Sequence, residues 1–593
     1  MRANTARVRR QQNSPIFVVI GNPPYNAHQV NENDNNKNRK YLIDNEISKT
    51  YAKDSTATNN TALSDVYVKA IYWASKRIGN EGIVAFVTNN SFINDLAFDG
   101  MRKHLHKDFN HIYILDLKGN IRKDSMRDGI PLGEKHTVFG LASMVGIAIT
   151  FFIKNNRFSD KKIFYNTVDF RATRQEKFAF LDKDRIVSDI QWTELIPDAN
   201  NTWLTEGLDN NFNTLLAMGT KEAKSHIGNA IFSNYGRGLA TSRDSWVYNF
   251  NSTKLANNIN KTITAYNDHV YRLNQLAVKP KIDDFVSGDS TQISWARGLK
   301  QRLEHGTTME FSSSKIKDSL YRPFTRMYLY FDKYLNEMQY QNNRIFPNTL
   351  TALENNVISV RAAGSNTPFH CLCTNIIPDL HLTGDSQCFP FYTYSEDGNN
   401  RKENITDWVL TQYQAQYKDN NITKKDIFNY VYGILHHPIY REKYAANLKR
   451  ELPHVPFAAD FLGFATAGKQ LVDLHINYEK QPEYKLTWIE EESAKVHYRV
   501  EKMALSKDKT QIIYNDFLTL SGIPPEVFEY HLGNRSALEW IIDQYQMKTD
   551  KRSGITNDPN RLDDPQYIVR LIGKVITVSL ETMEIVKALP EIS

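Results

Sequence analysis

Apolar residues over the first 155 positions fall into short runs: IFVVIG (16–21), IVAFVT (83–88), IYILDL (112–117) and VGIAITFFI (145–153). Each run is short and rich in β-branched or aromatic side chains, which predicts buried strands. Between the first two runs, Tyr67, Ile71, Ala74 and Ile78 recur at i, i+4, i+7 and i+11, one face of a helix. Ser64 or Asp65 can cap the start of that helix and Gly79 can end it. Strand, helix, strand at this spacing predicts an open parallel sheet of the α/β class. The polar stretch 31–61, rich in Asn, Asp, Lys and Thr, is long for a connection, and loops of that length are usually functional or mobile.

From about residue 156 the alternation dissolves into aromatic-rich segments (246–250 and 321–332) and helical stretches such as 424–452. Leu538, Ile541, Ile542 and Tyr545 share a helical face, and a later helix is predicted to open with Asp564 as cap and Pro565 in its first turn. The expected organisation is an α/β domain over 1–155 and a mixed α+β domain over 156–593. The polar EDGNNRKEN segment near 400 is a candidate subdivision. At 593 residues the chain exceeds one ordinary core.

Composition narrows the class further. With 41% hydrophobic and 24% charged residues the chain reads as soluble and globular. Its longest apolar run, 144–153, is half of what a bilayer requires. The opening MRANTARVRR is followed by polar QQNSP, not by the apolar core of a signal peptide. Three cysteines do not make a disulfide framework and fit a reducing compartment, so a cytoplasmic protein with no membrane partner is expected. A net charge of +6 allows a polyanionic partner without requiring one.

The stretch VVIGNPPYNAH (18–28) carries the most specific chemistry. The Pro23–Pro24 pair fixes two φ angles and removes two backbone donors, leaving nearby carbonyls free to accept. Asn22 adds an amide oxygen and Tyr25 an aromatic face. At the C-terminal end of a parallel strand, where open α/β sheets bind ligands, these groups suit a planar base bearing an exocyclic amine. Asn22 Oδ1 and the Pro23 carbonyl can accept its two N–H hydrogens while Tyr25 stacks on the ring. The nitrogen lone pair then points outward, toward a methyl group held on a sulfonium. A base in a duplex must leave the stack to reach such a site.

NPPY resembles motif IV of the amino-group DNA methyltransferases of the N6-adenine type. NENDNNKNRKY, GIVAFVTNNSFI and LDLKGNIR resemble the methyltransferase segment of type ISP restriction–modification enzymes, large single chains joining nuclease, motor, methyltransferase and target-recognition parts. The likeness continues through WARGLK, YRPFTRMYLYFDKYLNE, IPDLHL, CFPFY, YVYGILHHPIYREKYAANLKRELP, LGNRSALEWIIDQYQ and KRSGITNDPN, nearly the whole chain. It implies adenine-N6 methylation of double-stranded DNA with S-adenosylmethionine as cofactor, and a C-terminal domain that reads the target sequence. It also implies that Phe139, in HTVFGLASMVGIAITFF, packs on the flipped adenine opposite Tyr25.

Family members carry a glycine-containing cofactor turn upstream of NPPY, and Gly21 is the only glycine before Asn22 here. From the family's sheet order, 3-2-1-4-5-7-6, this chain is expected to supply strands 4, 5, 7 and 6: a Rossmann-like half-sheet with a bare apolar edge at strand 4. It is thus expected to be a C-terminal portion, inactive without a cofactor-binding part that an upstream chain could supply. The alternative is a non-catalytic DNA-binding specificity module working with a partner chain.

Other candidates are weaker. His370, Cys371, Cys373, His381 and Cys388 could bind zinc, but C-x-C lacks the usual knuckle spacing, and alternation of Cys371 and Cys373 on a strand is the favoured reading; no metal is expected. In YGRGLATSRDSW, Arg237 and Arg243 are candidates for DNA-backbone contact, as are Arg297, Lys300, Lys551 and Arg552 in two short basic clusters. His436 and His437 read as a helix terminus.

Overall fold

A computed structural model describes residues 7–8, 10, 14–25, 41–57, 60–121, 126–127, 130–364 and 367–592. The chain divides into two compact units, Met1–Leu208 and Asp209–Ser593.

In the first unit six strands form one sheet: β1 (Val18–Gly21), β2 (Gly82–Asn89), β3 (His111–Asp116), β4 (Ile147–Lys154), β5 (Lys162–Thr167) and β6 (Thr193–Leu195). Their spatial order is β1-β2-β4-β3-β5-β6. β1 runs parallel to β2, as a strand–helix–strand connection predicts, and β3 parallel to β5, but β4 is antiparallel to both β2 and β3, so the sheet is mixed. The reason is local: the described residues between β3 and β4 hold no crossover α-helix, and such a connection favours an antiparallel return.

Helix α1 (Val66–Arg77) turns Tyr67, Ile71 and Ala74 into the core, and Ile78 packs there as the helix ends. Gly79, at φ 64°, ends the helix as expected. Asp65 occupies the N-cap position, with no capping bond from its side chain. With α2 (Asp99–Asp108), α1 covers one sheet face through Val84, Phe86, Ile112, Ile114 and Phe152; Leu115, Leu117, Val138 and Ile147 form a second, smaller core. The first run is not a buried strand. β1 is a sheet edge, and Val18 and Ile20 are 60% and 80% exposed. The expected boundary at 155 also moves, because β5 and β6 extend the same sheet to Leu195 and the unit closes at Leu208.

The second unit contains three four-stranded sheets and three clusters of buried hydrophobic residues. No division falls near 400: Phe389 and Phe391 share one core with Ile405, Val409 and the helices α4 (Lys424–His436) and α5 (Phe461–Ile476). The predicted helix at 538–545 is α6 (Ala537–Gln544), whose cap Ser536 forms a capping box with Glu539. The last helix, α7 (Tyr567–Lys587), opens on Gln566, two residues later than Asp564. Cys371 and Cys373 lie on one strand, buried together with Cys388. Among the described residues no group of His, Cys, Asp and Glu side chains could hold a metal ion, and no helix is long and apolar enough to cross a membrane.

Three of the buried histidines of this unit, His370, His436 and His475, are held in hydrogen bonds, His370 Nδ1 to the Pro368 carbonyl at 2.9 Å. His475 Nδ1 bonds Tyr432 Oη at 2.6 Å and its Nε2 bonds Thr582 Oγ1 at 2.9 Å; His436 Nδ1 bonds the Tyr432 carbonyl at 2.8 Å. Burial pushes His370 down to about 4 and His475 to about 3, and holds His436 well below the usual range. These folded values lie below the unfolded value of about 6.5, so the unfolded chain binds more protons in between. Stability is therefore full above that pH and is lost as pH falls toward the folded values. Urea midpoints of the second unit should drop steadily from pH 7 to pH 4.5, reflecting a loss of unfolding free energy on the order of 1 kcal/mol per pH unit for each histidine. Midpoints that stay flat over that range would refute the assignment.

Candidate functional site

The pairing of Gly21 with Phe86 places Asn22 just past the C-terminal end of the parallel pair β1–β2. Asn22 and Pro24 are exposed, and Pro23 and Tyr25 are half-buried. The Tyr25 ring packs against both cores of the first unit and meets the buried Tyr67 ring edge-on at 6.4 Å and 81°.

The Tyr25 hydroxyl donates to Asn22 Oδ1 at 2.5 Å and lies 3.0 Å from the Val87 carbonyl. A phenol has one hydrogen to give. The acceptor expected to meet a target amine is therefore occupied, and a second acceptor stands ready to relieve it. Moving the hydrogen to Val87 frees Asn22 Oδ1 with no loss in the number of hydrogen bonds. Burial, with Asp65 adding to it, pushes the Tyr25 hydroxyl up to about 12, so it remains a donor at neutral pH.

Phe139 is 41% exposed and belongs to none of the buried clusters of the first unit. Its neighbour Val138 is in the small core that also receives Tyr25. Gly140 follows at φ 65°, a conformation few other residues adopt without strain.

The sequence reading missed a group of buried polar residues in this unit. Asp116, buried at the end of β3, accepts from Asn90 Nδ2 (2.8 Å), the Lys118 backbone N–H (2.9 Å), Lys118 Nζ (2.7 Å) and Tyr165 Oη (3.1 Å). Burial works against the Lys118 charge, but Asp116 and Tyr165 outweigh it and hold the amine above its usual range. Lys177, on helix α3 (Arg174–Lys183), is fully buried and donates to the His136 carbonyl. Lys118 stands only two positions from Asp116, but Asn90 and Tyr165 lie 26 and 49 positions from Asp116, and His136 lies 41 from Lys177, so no local pattern marks the group.

The expected DNA-contacting cations fare unevenly. Arg243 is overturned. Its side chain is buried, with Nε on the Ser294 carbonyl (3.2 Å), Nη1 on the Leu335 carbonyl (2.5 Å) and Glu337 at 3.9 Å. It braces the YGRGLATSRDSW loop and cannot reach a phosphate. Lys300 is mostly covered and paired with Asp283 at 2.9 Å. Arg297 is 76% exposed on the same helix, Arg297–Glu304; Lys551 and Arg552 are exposed in the turn joining Lys548–Thr549 to Thr556–Asn557, and Arg237 is half-buried. Arg552 and Arg243 both line a cavity of about 400 Å³ with Ser242, Ser294, Asp379 and His381.

Comparison with known proteins bears on these two units separately. Residues 7–121 match the family described as Eco57I restriction-modification methylase, and residues 230–571 match the Type ISP C-terminal specificity domain. A nuclease-deletion mutant of the Type ISP enzyme LlaGI, solved with a DNA substrate mimic, aligns over 100% of this chain with 36% identity and a TM-score of 0.89. The DrdV–DNA complex aligns over 100% at 36% and 0.88, and the ATP-dependent Type ISP enzyme LlaBIII bound to DNA over 100% at 33% and 0.89. The chain spans 46%, 58% and 38% of those three chains, respectively. No curated protein matches it. A methylase domain followed by a specificity domain is the pairing of a restriction–modification enzyme. Within that class, the chain belongs to the Type ISP enzymes.

Proposed function

We propose that this chain is the methylase and target-recognition portion of an enzyme that methylates adenine N6 in double-stranded DNA. The observation that carries this reading is the position of Asn22–Tyr25 at the C-terminal end of β1, with Tyr25 fixing the asparagine from behind. The order β1-β2-β4-β3, with β4 antiparallel, supports a reading of the sheet as strands 4, 5, 7 and 6 of a Rossmann-like methyltransferase. The methylase match over residues 7–121 weighs against a purely non-catalytic specificity module.

In this reading the target adenine is flipped from the duplex and enters between Tyr25 and Phe139. The Tyr25 hydroxyl swings its hydrogen bond to the Val87 carbonyl, and Asn22 Oδ1 and the Pro23 carbonyl accept from the amine. Pro24 keeps the turn rigid. With both N–H hydrogens engaged, the nitrogen lone pair is directed away from the ring plane toward the incoming methyl group. S-adenosylmethionine, when bound, supplies that methyl group as a sulfonium. The described residues hold no glycine-rich strand-to-helix turn beside Asn22.

The second unit would read the DNA sequence, as its match to a specificity domain and the DNA-bound relatives suggest. Arg297, Lys551 and Arg552 keep exposed side chains for phosphates. The decisive experiment supplies this chain, joined with the part that holds the cofactor, with S-adenosylmethionine and duplex DNA, then identifies the modified nucleoside by mass spectrometry. N6-methyladenine is expected. N4-methylcytosine would overturn the base assignment, and an absence of any methylated base would overturn the reading.

A further inference from the structure

Phe139 has neither a core to lie in nor a strand to hold it, yet a stacking ring must be held in place to be useful. Helix α3 lies behind the segment that leads to it. Arg174 and Lys177 stand three positions apart, so they share a helix face. Arg174 Nε donates to the Thr137 carbonyl at 3.1 Å and its Nη2 to the Glu134 carbonyl at 3.4 Å, while Lys177 Nζ donates to the His136 carbonyl. Three charge-assisted bonds thus converge on a stretch of four residues that ends two positions before Phe139.

The fit is close as well as polar. A Cβ on Gly140 would lie 3.2 Å from Arg174 Nη2, and one on Gly119 would lie 2.8 Å from Lys177 Nζ and 2.6 Å from the His136 carbonyl oxygen. The helix is itself fixed at its start by a capping box, in which the Thr173 N–H and hydroxyl donate to Glu176 at 2.6 and 2.8 Å. A fully buried amine is an expensive way to fill space; a methionine of similar length would pack there at less cost. What the amine adds is a directed donor to a backbone carbonyl.

We propose that Arg174 and Lys177 are positioning residues that hold the Phe139 loop in the orientation needed to stack on the flipped base. The proposal rests on the reading of Phe139 given above for its purpose, but the clamp itself can be measured without any methylation.

The three native cysteines are buried, so a thiol-directed nitroxide will label a Phe139→Cys chain at the new position. In the otherwise unaltered chain the spectrum should show one ordered component. Adding Lys177→Met should produce a mobile component there, while a label at Leu42→Cys in the same unit stays unchanged. Should Lys177→Met fail to fold, Arg174→Gln tests the same clamp from a half-exposed position. An unchanged spectrum at position 139, or equal changes at both labels, would overturn the proposal. In the methylating preparation, with Phe139 restored, Lys177→Met should lower kcat by about tenfold, a cost typical of a slightly misplaced group, and leave KM for S-adenosylmethionine unaltered. An unaltered kcat would show that the clamp does not serve the reaction. Failure of the adenine assignment would appear separately, as the wrong methylated base.

Discussion

Replacing Asn22 with alanine should lower the rate of methyl transfer by at least about 100-fold while leaving DNA affinity nearly unchanged. The size follows from what the amide does in the proposed site: it accepts one of the two amine hydrogens, and removal of one such preorganised hydrogen-bonding group elsewhere costs about 10²–10³ in kcat. Ground-state binding is spread over the second unit's contacts and should barely notice. Tyr25→Phe makes the contrast. It keeps the aromatic face and loses the hydroxyl that bridges Asn22 Oδ1 and Val87. The asparagine then lacks its rest-state partner but meets no competitor for the amine, so the loss should stay within about tenfold, near the worth of one ordinary hydrogen bond. Radiolabel transfer from S-adenosylmethionine to duplex DNA, measured under single-turnover conditions, separates the two. Equal losses in both variants would show that Asn22 acts only through Tyr25.

Much of the first unit could be read from the sequence because its signals are local. Strands announce themselves as short apolar runs, and four of the six were found that way, although β1 proved to be an exposed edge and not a buried strand. β5 and β6 were missed because KIFYNT is half-exposed and TEL is only three residues long, so neither makes an apolar run. β4's direction was missed because direction depends on the connection and not on composition. In the site, NPPY was legible because its chemistry is written in four adjacent residues. The link from Tyr25 to Val87 and those from α3 to residues 134–137 were not, since they join residues 62 and up to 41 positions apart, respectively. Arg243 shows the opposite error. A glycine-rich loop with arginines looks like a solvent-exposed phosphate cradle in sequence, whereas packing turned that guanidinium inward to bond two carbonyls.

Gly468→Ala should destabilise the second unit more than any other single methyl group added to a helix there. Gly468 on α5 and Gly433 on α4 face each other where the two helices cross. A Cβ at 468 would stand 1.8 Å from the Asn429 carbonyl oxygen and 3.0 Å from the Gly433 nitrogen; a Cβ at 433 would stand 2.6 Å from the Phe464 carbonyl oxygen. Two effects compete. Alanine is worth about 1 kcal/mol more than glycine in a helix interior, which alone would stabilise. Against it, the clashing atoms are backbone, so no rotamer change can relieve them and the helices must separate. Separation would open the core in which Phe428, Val431, Phe464, Leu471 and Val472 are buried. Overpacking of this kind costs about 1–3 kcal/mol when side chains can yield and more when they cannot, so the clash wins. The expected net loss is about 3 kcal/mol, read as a lower urea midpoint with an unchanged m-value. Gly433→Ala, with its longer approach, should cost less. A stabilised Gly468→Ala protein would mean that the two helices are not in backbone contact at that crossing.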